Sequence, residues 1–334
     1  MDTMRIIRPI EVTFVALAWL ACGLATSARA TSLPEPFDPG LSGFRILLDG
    51  EECPFNVLAF YVRPEENMPI EIESPDPAHS YALLADRGTV IELGQGRWAW
   101  RAPSEPGQCE LVVLHGGTPE TITLHAFVMV PFEAVQNGML NGYRIGEYPV
   151  ALSNDSPWSL TMAPAYAAPA GFIEVTAQNI DTPVSPHFKL GQFLCKQPSD
   201  FPKYLVLTTR LLIKLERILD EVNRLGHPTS TFVIMSGYRT PYYNAAIGNV
   251  KLSRHQYGDA SDIYIDEDHD GRMDDLNGDH RVNMKDSQLL SSIVDAMQNG
   301  PALASLTGGI GVYKATSEHG PFVHVDARGR AAHW

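Results

Sequence analysis

The chain predicts an α+β protein, an all-β sandwich followed by a mixed domain of short strands and helices, and three observations carry that expectation. From about Phe44 to Pro131, short runs rich in β-branched and aromatic residues (FRILL, NVLAFYV, IEIE, TVIEL, WAW, ELVVL, TITLHAFVMV) alternate with Gly, Pro and Asp clusters, the spacing of a sandwich. From Leu205 to Leu225, Leu207, Leu211, Leu215, Ile218 and Val222 recur at helical spacing, after Pro202 and before Gly226, which predicts a core-packing helix. Beyond it, the apolar runs around Ile263 to Ile265 and from Phe322 to Val325 read as neighbouring strands, one carrying Asp262 and the other His324.

Taken in order, residues 1–30 hold Arg5 and Arg8, an apolar run from Val12 to Ala25 and then Ala28-Arg29-Ala30. This is the pattern of a secretory signal peptide, with an uncleaved anchor as the alternative. Cys22 follows Trp-Leu-Ala rather than a lipobox leucine, which argues against a lipoprotein. Cleavage leaves 304 residues, enough for two folded domains, and losing three arginines with two acids moves the net charge from −14 to −15. A chain this acidic is a poor nucleic-acid or anionic-membrane binder. The expected protein is secreted, periplasmic or envelope-associated, and monomeric. Cys53, Cys109 and Cys195 remain in the mature chain. The odd count leaves one thiol over: Cys53 pairs with Cys109 in one domain, or all three are free and buried.

Residues 31–135 form the expected sandwich, with Trp98 and Trp100 as core residues and a general immunoglobulin-like character in its later strands. A spacer or targeting role follows. Residues 136–185 are a junction rich in Pro, Gly and Ala that lies against its neighbours. The second domain spans 186–334. Its His187 and His227 read as surface or capping histidines.

The densest chemistry lies in Ser236 to Asp262, where Ser253, His255, Gly258, Ala260 and Asp262 spell Ser-x-His-x-x-Gly-x-Ala-x-Asp. A histidine and a carboxylate lie seven residues apart across a glycine turn, a metal-site spacing that His324 completes. Two histidines and one carboxylate leave a fourth zinc position open, the arrangement of catalytic rather than structural zinc.

SGYRT with Arg239, the YN of Tyr243 and Asn244, SRHQYGDASD, GGIGVY from Gly308 to Tyr313, and FVHVD together resemble the zinc D-Ala-D-Ala carboxypeptidases and related peptidoglycan peptidases. That fold is shared by the hedgehog signalling domain. The resemblance covers about the last 150 residues. It implies zinc ligands at His255, Asp262 and His324, and Arg239 on the substrate carboxylate or the developing oxyanion. The family commonly has an acid three residues before the last zinc histidine, where this chain has Pro321. His319 matches a histidine of some members, and Asp326 and His319 rank ahead of Glu318 as general base or acid.

The acidic run from Asp266 to Asp286 then breaks the domain. Asp266, Asp268, Asp270, Gly271 and Asp274 fit positions one, three, five, six and nine of an EF-hand-type loop. Asp275, Asn277, Asp279, the Arg281 carbonyl, Asn283 and Asp286 fit a second register resembling a dockerin loop, with His280 at the glycine position and Val282 as its buried eighth residue. Calcium there would be structural; the alternative is a solvated acidic insertion.

The reading is a secreted zinc metallopeptidase cutting peptidoglycan stem peptides or cross-links, as carboxypeptidase or endopeptidase. An inactive zinc-containing wall-binding protein is the alternative, and a calcium-gated adhesin a weaker one. No Ser-x-x-Lys occurs, which disfavours a serine penicillin-binding enzyme.

Overall fold

The computed structural model describes residues 36–149 and 163–334; the signal peptide expected over residues 1–30 lies outside them. Phe37–Trp334 pack as one compact unit. Its first part comprises β1 (Leu41–Leu48), β2 (Glu51–Phe55), β3 (Val57–Val62), β4 (Asn67–Ile72), β5 (Tyr81–Ala85), β6 (Thr89–Gly94), β7 (Arg97–Arg101), β8 (Gly107–His115) and β9 (Thr121–Val128). They form one sheet in the order β2-β1-β4-β7-β6 and another in the order β3-β9-β8-β5, with β3 parallel to β9. Period-two alternation explains the inner faces. Phe44, Ile46 and Leu48 of β1, Trp98 and Trp100 of β7, and Cys109, Leu111 and Val113 of β8 are buried. Phe60 of β3 meets Trp100 of β7 edge-on at 5.8 Å, joining the two sheets.

The cysteine pairing expected above is corrected here. Cys53, Cys109 and Cys195 are all free and buried. Cys53 lies on β2 and Cys109 on β8, in different sheets, and each fills apolar core as a small hydrophobe. Burial pushes the Cys53 thiol up to about 12, where it is unreactive.

The junction is structured where it is described. β10 (Val130–Pro131) pairs with β13 (Gly171–Val175), after the short hairpin of β11 (Met139–Leu140) and β12 (Tyr143–Arg144). Next come the β14 (Pro183–Ser185) and β15 (Phe188–Lys189) hairpin and β16 (Lys203–Leu205), which pairs with β13. Helix α1 runs Thr209–Arg224 and starts later than its apolar period because Lys203–Leu205 extend the β13 sheet. The Thr208 side chain caps it by accepting from the Leu211 amide, and Gly226 at φ +90 ends it.

The last sheet has the order β17 (Val233–Ser236), β18 (Ala260–Tyr264), β20 (Phe322–Asp326), β19 (Gly309–Tyr313), β21 (Ala332–His333), antiparallel except between β19 and β21. The short α2 (Pro241–Ala246) follows β17, and α3 (Met284–Gln298) packs with α1. Lys214 of α1 is fully buried, donating to the Asp326 carbonyl at 2.6 Å and to Gln298 Oε1 of α3 at 2.7 Å. Burial lowers its pKa to about 8. No helix among the described residues is long and apolar enough to cross a membrane.

Candidate metal centre

Strand register brings the first two candidate ligands together. Asp262 of β18 and His324 of β20 are direct cross-strand partners, so their side chains leave the same face side by side. His255 arrives from the single 3₁₀ turn Arg254–Tyr257, closed by Gly258 at φ +72. Gly258 lies so close to α1's approach that an added Cβ would be 2.4 Å from the Val206 carbonyl carbon and oxygen, leaving room only for glycine. The Gly258 carbonyl accepts from the Thr208 amide at 3.1 Å, and the His255 carbonyl from the Arg239 amide at 3.1 Å, which fixes both ends of the turn.

His255 Nε2, Asp262 Oδ1 and His324 Nδ1 lie 3.2, 2.9 and 3.1 Å from one another. All three residues are buried. A tetrahedral ion with bonds of about 2.0–2.1 Å separates its ligands by about 3.3 Å, so the donor set fits zinc. The outer ring atoms point the same way. His255 Nδ1 faces the Gly237 carbonyl at 2.7 Å and His324 Nε2 faces Asp326 Oδ2 at 3.3 Å. With a proton on each outer nitrogen, three lone pairs converge on one buried point with no donor between them, and a cation relieves that repulsion.

Burial pulls the His255 pKa down, which favours its neutral ligand form. Burial would raise Asp262, but His255 and His324 outweigh it and hold the carboxyl well below the usual carboxylate range. For His324, burial opposes and the Asp262 and Asp326 carboxylates win, raising it. A metal therefore competes with a proton for its Nδ1.

Arg239 donates from Nη2 to Asp262 Oδ2 at 2.5 Å and from Nε to Ser236 Oγ at 2.8 Å. It lines a cleft of about 390 Å³ with the three ligand candidates, Val250, Tyr313 and Trp334. The other sequence candidates lie elsewhere. Asp326 is fully buried behind His324, where it accepts from the Gly309 amide at 2.8 Å and pairs with Arg328. Its place is against the far nitrogen of His324, not in the cleft. His319 turns its Nδ1 to the Gly320 carbonyl at 2.7 Å, and Glu318 is exposed against Ser317; neither lines the cleft. Sequence reasoning gave no role to Ser236 and Tyr313, which stand inside the SGYRT and GGIGVY motifs, and passed over Arg328 and Trp334. The signal for Arg328 was its position two residues after Asp326, at a strand end.

Two histidines set aside above also find places. His187, read as a surface or capping residue, is corrected. Its amide and Nδ1 both engage Glu216, a carboxylate buried in α1, at 2.9 and 2.7 Å, and its ring stacks on Phe37 at 4.7 Å. His227 stays partly exposed, its amide on the Val222 carbonyl.

The acidic run folds as two similar loops. In the first, the Asp270 amide donates to Asp266 and Asp268 at 3.0 and 3.2 Å; in the second, the Asp279 amide donates to Asp275 and Asn277 at 3.1 and 3.0 Å. His269, Gly271, Gly278 and His280 all have positive φ at matching positions. Asp266, Asp268 and Asp274 each bring one oxygen within 4.8 Å of the others. Asn283 and Asp286 form the capping box of α3, with Asp286 Oδ1 also accepting from Asn277 Nδ2 at 2.9 Å. Val282 is 44% exposed, which corrects its assignment as a buried eighth residue. Met273, the corresponding residue of the first loop, is the buried one.

Among comparisons with known proteins, one family model matches, and it matches within the second half of the chain. Residues 187–283 match the family model described as Peptidase M15, a span that includes His255 and Asp262 but not His324. No curated protein matches the chain. A solved structure of the Yersinia pseudotuberculosis adhesin InvE matches at 15% identity over 25% of this chain and 26% of that one, with a TM-score of 0.17. The chain thus spans about a quarter of that adhesin, and the likeness carries no structural argument.

Proposed function

We propose that the protein is a secreted zinc metallopeptidase acting on the peptide stems or cross-links of peptidoglycan, in the periplasm or cell envelope, as a monomer. The observation that carries this reading is the convergence of His255, Asp262 and His324 on one point at the floor of a cleft, with mutual separations of 2.9 to 3.2 Å. The Peptidase M15 match over residues 187–283 supports the same reaction class. Zinc held by these three residues would polarise a peptide carbonyl and lower the pKa of a water molecule. Arg239, which lines the cleft while bonded to Asp262 and Ser236, would hold a substrate carboxylate or a developing oxyanion. Asp326, fixed by Arg328 and Gly309, orients the His324 ring and keeps its proton on Nε2.

A second reading rests on one observation. Among the described residues, no Asp or Glu side chain other than Asp262 lines the cleft, so no side-chain general base of the expected kind faces it. A zinc-containing wall-binding protein without turnover fits that fact. The test is mass spectrometry of defined muropeptides incubated with zinc-loaded protein beside His324→Ala. Loss of a terminal D-Ala or conversion of dimers to monomers, absent in the variant, is the expected result. Saturable sacculus binding with one bound zinc and no product would establish the second reading.

The paired acidic loops are proposed calcium sites, with Asp266, Asp268, Asp270 and Asp274 serving the first and Asp275, Asn277, Asp279, Asn283 and Asp286 the second. Their matching backbone trajectories support this. They lead directly from β18, so calcium would order one side of the metal domain rather than enter the chemistry. We also propose an immunoglobulin-like sandwich with a wall-targeting or spacing role for the N-terminal part; the two sheet orders β2-β1-β4-β7-β6 and β3-β9-β8-β5, with β3 parallel to β9, support that reading.

A further inference from the structure

The motif that supplies His255 also carries a buried charged pair that takes no part in the chemistry above. Arg254 and Asp259 stand at the two ends of the His255 turn, and both are buried. Arg254 donates from Nε to Asp259 Oδ1 at 3.0 Å and from Nη2 to Asp259 Oδ2, a two-point bond that closes the loop around His255. Its Nη1 donates to the Ala165 carbonyl. The guanidinium lies 4.8 Å from the ring centre of Tyr166 and 4.9 Å from that of Tyr257, and those two rings meet edge-on at 5.4 Å. Arg254 lines the cleft with all three of its nitrogens engaged, so a substrate would have to break the pair to use it.

Every residue of the turn is gripped from outside, and two of the grips come from the junction. The Tyr148 hydroxyl donates to the Gln256 carbonyl at 2.9 Å and meets the Tyr238 hydroxyl at 3.0 Å, and its ring lies 5.8 Å from that of Tyr257. Tyr166 covers Arg254. At the far end of the turn, the Asp259 carbonyl accepts from the Ala327 amide at 2.9 Å, which ties the pair to the end of β20, the strand of His324. A buried ion pair adds little stability over an apolar pair of similar volume. What it adds here is position: the planar guanidinium fork fits its carboxylate in one orientation, and a metal ligand tolerates displacements of only about 0.2 Å.

We propose that Arg254 and Asp259, with Tyr148 and Tyr166 of the junction, are positioning residues that set His255 for the metal. The junction is then part of the support of the metal centre, and Arg254, although it lines the cleft, is not a substrate-binding group. The proposal rests on the metal centre and not on the peptidase reading.

The experiment measures zinc affinity by chelator competition, the visible spectrum of the cobalt-substituted protein and the melting temperature of the metal-free protein. Arg254→Lys keeps the charge and loses the two-point bond. Arg254→Met combined with Asp259→Leu removes both charges and leaves neither unpaired. Tyr166→Leu removes the ring over Arg254. Arg144→Ala is the control, because it deletes a contact of the same kind, to the Tyr242 ring at 4.0 Å, away from the turn.

Loss of a partner behind a metal ligand weakens metal binding about 10–100-fold. Arg254→Lys and the double variant should lose zinc affinity by that factor and change the cobalt bands. Tyr166→Leu should cost about threefold or more, and less when added to the double variant, since the ring acts through Arg254. Arg144→Ala should bind zinc as the native protein does. Native zinc affinity and cobalt bands in the double variant and in Tyr166→Leu overturn the proposal whether or not Arg254→Lys folds; a lower melting temperature alone would make the pair purely structural. The expected zinc losses with no muropeptide hydrolysis by the native protein would refute the peptidase reading and leave the positioning role standing. Neither zinc nor cobalt bound by the native protein would refute the metal centre and the proposal together.

Discussion

Replacing Gly258 by alanine tests how the metal centre is assembled without touching a ligand. The residue is in the left-handed region at φ +72, and its added Cβ would sit 2.4 Å from backbone atoms of Val206 and 2.7 Å from the Leu207 amide nitrogen. Restoring ordinary contact of about 3.4 Å requires a shift of about 1 Å, and neither side is a flexible side chain. The Arg254–Tyr257 turn must move, and His255 moves with it. Metal–ligand distances tolerate about 0.2 Å, so a 1 Å displacement removes one of three protein ligands. The left-handed conformation adds about 1–2 kcal/mol and the overpacking about 1–3, for a loss of about 2–5 kcal/mol. Gly248→Ala is the matched control, since it has φ +69 with nothing within 4 Å of its added Cβ. It should cost only the conformational part and keep zinc. The assay is zinc competition with a chromogenic chelator, beside urea unfolding of the metal-free proteins. Equal zinc affinity and equal stability in the two variants would refute the reasoning, because it assigns the difference to the contact with Val206.

Asp326→Asn keeps the shape but removes the charge that orients His324, and should weaken zinc about 10–100-fold in the same competition assay; unchanged affinity would remove Asp326 from that role. The His187 pKa is raised: burial opposes, and Glu216 with Asp38 outweighs it. A raised folded pKa means the stabilisation is complete below about pH 6.5 and fades as pH rises through the folded value. The melting-temperature gap between the native protein and His187→Gln should therefore shrink at higher pH, and a constant gap from pH 5.5 to 8.5 would contradict it. Calcium chelation should lower the melting temperature by several degrees if the paired loops bind it, and no shift would count against them.

What the sequence disclosed was local, and what it hid was directional. His255, Gly258 and Asp262 are close in sequence, and the apolar runs beside Asp262 and His324 marked strands, so their meeting was legible. Which way a group points was not. Asp326 is two residues from His324 on β20 and therefore on the same face, yet it engages the far nitrogen of the ring. His319 and Glu318 are near His324 in sequence but turn away from the cleft. Cysteine parity could not reveal that Cys53 and Cys109 lie in different sheets. Val282 and Met273 hold the same position in two loops, and only the packing around each decides which is buried.

The layer behind the ligands shows why the N-terminal sheets belong to the same compact unit. Helix α1 supports the site twice, through Thr208, whose amide holds the Gly258 carbonyl, and through Lys214, which holds the Asp326 carbonyl. One bond fixes the turn that carries His255, and the other fixes the strand that carries His324. The helix is in turn held from its other side. Thr209 Oγ1 donates to the Ala59 carbonyl of β3 at 3.0 Å, Arg210 pairs with Glu51 of β2, and His187 grips Glu216. β3 is a continuous apolar run because it faces the sandwich core on one side and β14 and α1 on the other. A ligand geometry that tolerates only tenths of an ångström thus rests on a helix whose first turn is bonded to the N-terminal sheets. On this arrangement those sheets act as a buttress for the metal centre, and a disturbance at Ala59 or Glu51 has a direct bonded route to His255 and His324.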